Sequence, residues 1–185
     1  MLLVVGLLAA AAPTTAAGQS SPPSGADQRG WSTFDAPQGY ADDSSHSHVS
    51  IESNSSDRNA WQWRFDGPGG EDNFEPTDLS FWKRSSYISW IDVYWYVTPS
   101  TPAGVAGDVL CKATKSNNRC DRFRLRIAQS FSDSNASSLL KNNLVCHEVA
   151  HTVGFDHGWR GHSCMSGGDN NILSNDEIAA INARY

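Results

Sequence analysis

Basic residues are scarce. Fourteen lysines and arginines stand against 20 aspartates and glutamates, for a formal net charge of −6. Nucleic-acid partners usually carry a basic footprint, so that class is excluded. The longest apolar run, Met1 to Ala12, falls short of the roughly 20 residues a membrane-spanning helix needs. No basic residue precedes it. Between Gly18 and about Arg58 apolar residues are few and Ser, Pro, Gly, Asp and Asn dominate, which predicts a loose lead-in rather than part of a core. No repeat period is visible, and 185 residues suit one domain once the N-terminal segments are set aside. Cysteine is limited to four, which sequence alone allows to pair in three ways.

What is present concentrates at His147-Glu148-Val149-Ala150-His151-Thr152-Val153-Gly154-Phe155-Asp156-His157, an H-E-x-x-H-x-x-G-x-x-H pattern, with Met165 shortly after it. On a helix, residues four apart share a face about 6 Å apart. His147 and His151 can therefore offer imidazoles to one Zn²⁺, with Glu148 bordering the same place. Gly154 allows a left-handed exit from the helix, which predicts that His157 returns as a third ligand. Three protein nitrogens leave a fourth position for water, the arrangement of a catalytic zinc rather than a structural one. Five fixed positions of this kind should match by chance in under roughly one in ten thousand chains of this length.

The apolar start followed by Pro13 to Gly18 has the length of a signal-peptide core, with cleavage expected after Ala17 and after Ala16 nearly as good. This assigns residues 1–17 to a signal peptide, 18–58 to a low-complexity lead-in or short pro-segment, and 59–185 to the functional domain. His46 and His48 read as solvated residues of the lead-in. All tryptophans except Trp31 lie beyond residue 60. Trp61 to Phe65 alternates apolar and polar and predicts a strand, ended by Asp66 to Gly70. A short helix is expected from Asp78 to Ser85. Strands are expected within Tyr87 to Val97, Val105 to Ala113 and Arg122 to Phe131. Arg122, Arg124 and Arg126 alternate along the last of these and read as a solvated sheet face. The motif helix should run from about Ala136 to Val153. Leu140, Leu144, His147 and His151 form one face of it, and Leu139, Cys146, Ala150 and Val153 form another that can bury against the sheet. A final helix should start at Ser174, where Ser174 and Glu177 make a capping-box pattern.

Four cysteines behind an export signal point to two disulfides in an oxidising compartment. Physical reasoning favours Cys111–Cys120, clamping the hairpin after an edge strand, and Cys146–Cys164. The second would tie the residue before the first zinc ligand to the residue before Met165. It closes a loop of about 19 residues, worth roughly 3 kcal/mol in the chain-entropy model.

The zinc motif, the methionine in Ser163-Cys164-Met165-Ser166-Gly167-Gly168, and the closing Leu173-Ser174-Asn175-Asp176-Glu177-Ile178-Ala179-Ala180-Ile181-Asn182 resemble the metzincin metalloproteases, on the matrixin-like side. The resemblance covers about Ile88 to Tyr185. It implies an α+β, metzincin-like zincin fold: a twisted mixed β-sheet with an active-site helix, and a small C-terminal subdomain ending in a helix. It implies one catalytic Zn²⁺ on His147, His151 and His157, Glu148 as the catalytic general base, and Met165 as the floor of a Met-turn. It also implies that extended protein or peptide substrate adds to an edge strand at Val105, Ala106, Gly107, Asp108 and Val109. Asp156 is expected to support the turn or orient a ligand imidazole, and His162 to be a surface loop residue. The expected molecule is a secreted, extracellular monomer with no stable membrane association after signal cleavage. Alternatives from other classes are a zinc-binding secreted module without peptidase activity and a zinc hydrolase of a non-peptide amide. The chain departs from matrixins in having no cysteine-switch segment, no structural-zinc or calcium loop, and Gly167 where astacin-like enzymes carry a tyrosine. Latency and calcium dependence are left open by those departures.

Overall fold

The computed structural model describes residues 45–50, 55–84, 91–115, 120–155, 163–166, 170–183 and 185. The expected signal peptide, the loop 158–161, and Asp156, His157, His162 and Gly167 lie outside these. Five α-helices and a five-stranded mixed sheet lie among the described residues. In order they are β1 (Ser45–Ser50), α1 (Ser55–Phe65), α2 (Glu71–Phe74), β2 (Ser80–Arg84), β3 (Val93–Thr98), β4 (Gly107–Thr114), β5 (Cys120–Ala128), α3 (Gln129–Ser132), α4 (Ser138–Thr152) and α5 (Asn175–Asn182). The sheet order is β2-β1-β3-β5-β4. β1 runs parallel to both β2 and β3, and β3 parallel to β5, while β4 folds back antiparallel on β5. The class is therefore α+β with a mixed sheet.

Alternation decides which sheet face carries the core. Val93, Trp95 and Val97 on β3, Phe123, Leu125 and Ile127 on β5, and Val109 on β4 are buried. They form one cluster with Trp61 and Phe65 of α1 and with Leu144, Val145, Cys146, Val149 and Ala150 of α4. Phe65 stacks on Trp95 at 4.6 Å between ring centroids. Met165, Leu173, Ala180 and Ile181 join the same cluster, so the C-terminal stretch shares the main core.

Three expectations are overturned. Trp61 to Phe65 is helix, not strand. Its apolar residues fit both periods, but Asp57, Trp61, Arg64 and Phe65 fall on one buried helical face, while Trp63 is 46% exposed and sits under the Arg64 guanidinium at 4.2 Å. The expected helix at 78–85 is instead β2, where adjacent Phe81 and Trp82 suit an extended chain and parallel pairing with β1 supplies the backbone partners. The supposedly loose lead-in contributes β1, including His46 and His48, and this strand lies inside the sheet. Hydrogen bonding on both edges holds a Ser/His segment there that its own apolar content would not.

Smaller shifts follow the same logic. β4 begins at Gly107, so Val105 and Ala106 precede the strand rather than belong to it, although Ala128 N donates to Ala106 O at 2.8 Å. Residues 129–131, expected as the end of a strand, belong instead to α3. Leu139, assigned to the inner face of the motif helix, is 42% exposed in its first turn. The arginine row is not simply solvated: Arg126 makes a two-pronged pair with Asp108 across the β4–β5 ladder and donates to Ser100 O at 3.0 Å.

Both disulfides are formed, Cys111–Cys120 across the hairpin and Cys146–Cys164 between α4 and the turn that follows it, as an oxidising compartment allows. Among the described residues no helix is long and apolar enough to cross a membrane.

α1 is latched to α4 by Arg64, whose guanidinium donates to Ser138 O at 3.2 Å, Ser138 Oγ at 3.0 Å and Asn142 Oδ1. A buried charged donor of this kind contributes about 1.5–3 kcal/mol. Arg64→Ala is expected to lower the unfolding free energy by that amount, read as a lower urea midpoint at unchanged m-value, and Arg64→Lys to restore less than half, because an ammonium cannot reproduce the planar fork.

Candidate functional site

α4 starts at Ser138, two residues past the expected Ala136: Ser137 is the N-cap and its hydroxyl accepts from Leu140 N. From Asn142 to Thr152 every residue is buried, which places His147, Glu148 and His151 inside the molecule rather than on its surface. The helix ends in a paired turn. Gly154 N donates to His151 O and Phe155 N to Ala150 O, the two reverse bonds of a Schellman cap. The cap requires a left-handed residue after Val153, and Gly154 has φ +106°. Tyr185 covers another helix-end carbonyl, its hydroxyl donating to Val153 O at 3.3 Å.

This ending orients a ring. The His151 Nδ1 stands 2.8 Å from Phe155 O, just past the cap. His147 Nδ1 stands 2.9 Å from Cys164 O, in the turn at 163–166. A carbonyl can only accept, so both Nδ1 atoms carry the proton. In neutral rings that leaves the lone pairs on Nε2. The two Nε2 atoms face each other at 3.0 Å, and the rings are edge-on, 86° apart. Two lone pairs at that distance repel unless a cation shares them. Nitrogens each about 2.0–2.1 Å from a tetrahedral zinc would be about 3.3 Å apart, so the pair fits a zinc ion after a small spread.

Glu148 borders the pair and is 3% exposed. Its Oε2 accepts no hydrogen bond from any described residue. Burial pushes its carboxyl well above the ordinary carboxylate range, and the negative charge of Asp108 adds to the effect. On its other side lies β4, the strand at the edge of the sheet, against which α4 packs.

Met165 is buried in the core one residue after the carbonyl that holds His147. Its turn is fixed three ways. Cys164 is bonded to Cys146, Cys164 N donates to Ile172 O at 2.9 Å, and Ser163 Oγ receives Met165 N while donating to Glu177 Oε1 at 2.7 Å. Glu177 is the capping-box acid of α5, with Ser174 as the cap. The sequence pattern identified Glu177 as a cap but not Ser163 as its partner, because nothing local joins residues 14 apart.

The structure thus brings together His147, His151, Glu148, the edge strand and the turn carrying Met165. It does not include His157 among the described residues, and among those residues no group of three or more His, Cys, Asp or Glu is arranged to hold a metal.

Burial raises the Glu177 carboxyl, outweighing the hydrogen bonds from Ser174 and Ser163 that lower it. A raised folded value means the folded chain binds the proton more tightly. The associated stability is complete below the unfolded value and lost as pH rises through the folded one. Glu177→Gln lacks this loss. The stability margin of the natural chain over the variant should therefore shrink as pH climbs from about 4.5, read as paired thermal melts; a margin that widens would contradict it.

Comparison with protein-family models finds no match for this chain, and comparison with curated proteins finds none either.

Proposed function

We propose that this chain is a secreted zinc-dependent endopeptidase of the metzincin kind, with Glu148 as general base. The observation that carries the reading is the convergence of two imidazole Nε2 atoms, each ring anchored through Nδ1 to a backbone carbonyl, beside a buried carboxylate with an unused oxygen. His147, His151 and His157 would hold the ion, the last on the strength of the motif alone. Zinc held there supplies a Lewis acid for the scissile carbonyl and brings the pKa of a water to about 7.

The protein's own groups do the rest. The carbonyls of Phe155 and Cys164 keep both rings in the tautomer that offers Nε2, and hydrogen bonds of this kind also raise ligand basicity. Glu148 takes the proton of the attacking water on its carboxylate and hands it to the leaving amine. The outer edge of β4 offers unpaired backbone groups to an extended substrate, which adds as a further antiparallel or parallel strand. The mixed sheet, the edge position of β4 and the turn at Met165 support the metzincin-like reading. The two disulfides suit an extracellular protein.

The test is hydrolysis of casein or gelatin by the zinc-loaded protein. Activity should vanish with a chelator and return with zinc. Glu148→Ala should lower kcat by about 10²–10⁴ while zinc content stays at one ion. His147→Ala, His151→Ala and His157→Ala should each lose the ion itself. A zinc-loaded chain that cleaves no member of a broad peptide library would sink the proposal.

A further inference from the structure

Gly107 opens β4 at the point where the edge strand crosses the motif helix. Its backbone φ lies outside the left-handed region, so any residue could adopt it. Conformation does not explain the glycine; space does. A Cβ built there would stand 2.8 Å from Glu148 Oε1, 3.0 Å from its Cδ and 3.0 Å from its Cγ. Those are three successive atoms of one side chain, not just its tip. Glu148 has no solvent to retreat into, and its neighbours Val149 and Ala150 are buried in the core, so the helix backbone cannot yield either.

Strand alternation puts Gly107 and Val109 on the same face and Asp108 on the other. Val109 is buried, and Asp108 pairs with Arg126. An apolar side chain at residue 107 would ordinarily continue the row that Val109 belongs to. The row is instead left vacant at the one place occupied by the carboxylate.

We infer that Gly107 is a positioning residue for Glu148: the missing side chain on β4 determines where the carboxylate sits between the helix and the substrate edge. The inference rests on the catalytic reading of Glu148 for its kinetic consequence, but the contact itself does not. Displacing a catalytic group by about 1 Å can cost on the order of 10²-fold. A Cβ at residue 107 meets Glu148 and leaves the backbone groups of β4 unchanged, so its effect belongs in kcat.

Gly107→Ala is therefore expected to lower kcat by about ten- to a hundredfold with KM within about twofold and zinc content unchanged. A kcat within about twofold of the natural chain would overturn the inference. A second measurement needs no activity. Gly107→Ala should lower the melting temperature in the natural background but by much less beside Glu148→Ala, which removes the three nearest atoms the new Cβ would meet. Equal losses in both backgrounds would show that residue 107 meets something else, and would overturn it. If Gly107→Ala folds only together with Glu148→Ala, the contact is supported; if neither folds, it is refuted. Should the natural chain show no Glu148-dependent turnover, the catalytic reading fails, while the melting comparison still decides whether residue 107 sets the carboxylate.

Discussion

Two hydrogen bonds from imidazole Nδ1 to backbone carbonyls hold the centre of this molecule in place. They turn the Nε2 atoms of His147 and His151 toward one point, and nothing about the helix alone would do that. An α-helix supplies the spacing of the two rings but leaves each free to rotate about χ1 and χ2. Phe155 O and Cys164 O remove that freedom. Both acceptors lie C-terminal to α4, so the residues after the helix, not those within it, convert a spacing into a site.

Much of the remaining structure keeps those two carbonyls still. Phe155 O is placed by the Schellman cap, which depends on Gly154. Cys164 O is placed by a disulfide back to α4, by Ile172, and by the Ser163–Glu177 link to the N-terminus of α5. Each tie is modest alone, on the order of 1 kcal/mol for a neutral hydrogen bond and about 3 kcal/mol for a disulfide closing a loop of this size. Together they leave the turn few alternatives. The capping box of α5, which reads as a local device, serves a ring some distance along the chain through Ser163 and the turn.

The legible and illegible parts of the chain divide along a physical line. α4, the Gly154 exit and the Ser174/Glu177 box follow from local chemistry, where side chain and backbone groups a few residues apart decide the outcome. β3, β4 and β5 follow from alternation and β-branched content. The failures are non-local. β1 has almost no apolar signal and is a strand because two neighbouring strands pair with it. The Trp61 to Phe65 stretch fits periods of two and four alike, and only the packing of Trp61 and Phe65 onto the sheet selects the helix. The site divides the same way. The proposed ligands sit in a contiguous motif, whereas the carbonyl acceptors and the closeness of Gly107 to Glu148 exist only once the chain is folded.

Glu148 separates a catalytic reading from that of a module that merely binds zinc. A buried polar atom without a partner costs roughly 1–3 kcal/mol, and Asp108 makes ionisation there harder still. A binding module would gain stability from any neutral residue at this position and has no use for the acid. The chain also leaves residue 107 bare to accommodate it. Burial and Asp108 favour the protonated acid, while a cation at the two imidazoles favours the carboxylate. A general base in peptide hydrolysis must accept a proton and release it again within one reaction. On the proposed reading, a carboxylate that weakens the fold where it sits, with residue 107 left bare beside it, has its use in proton transfer.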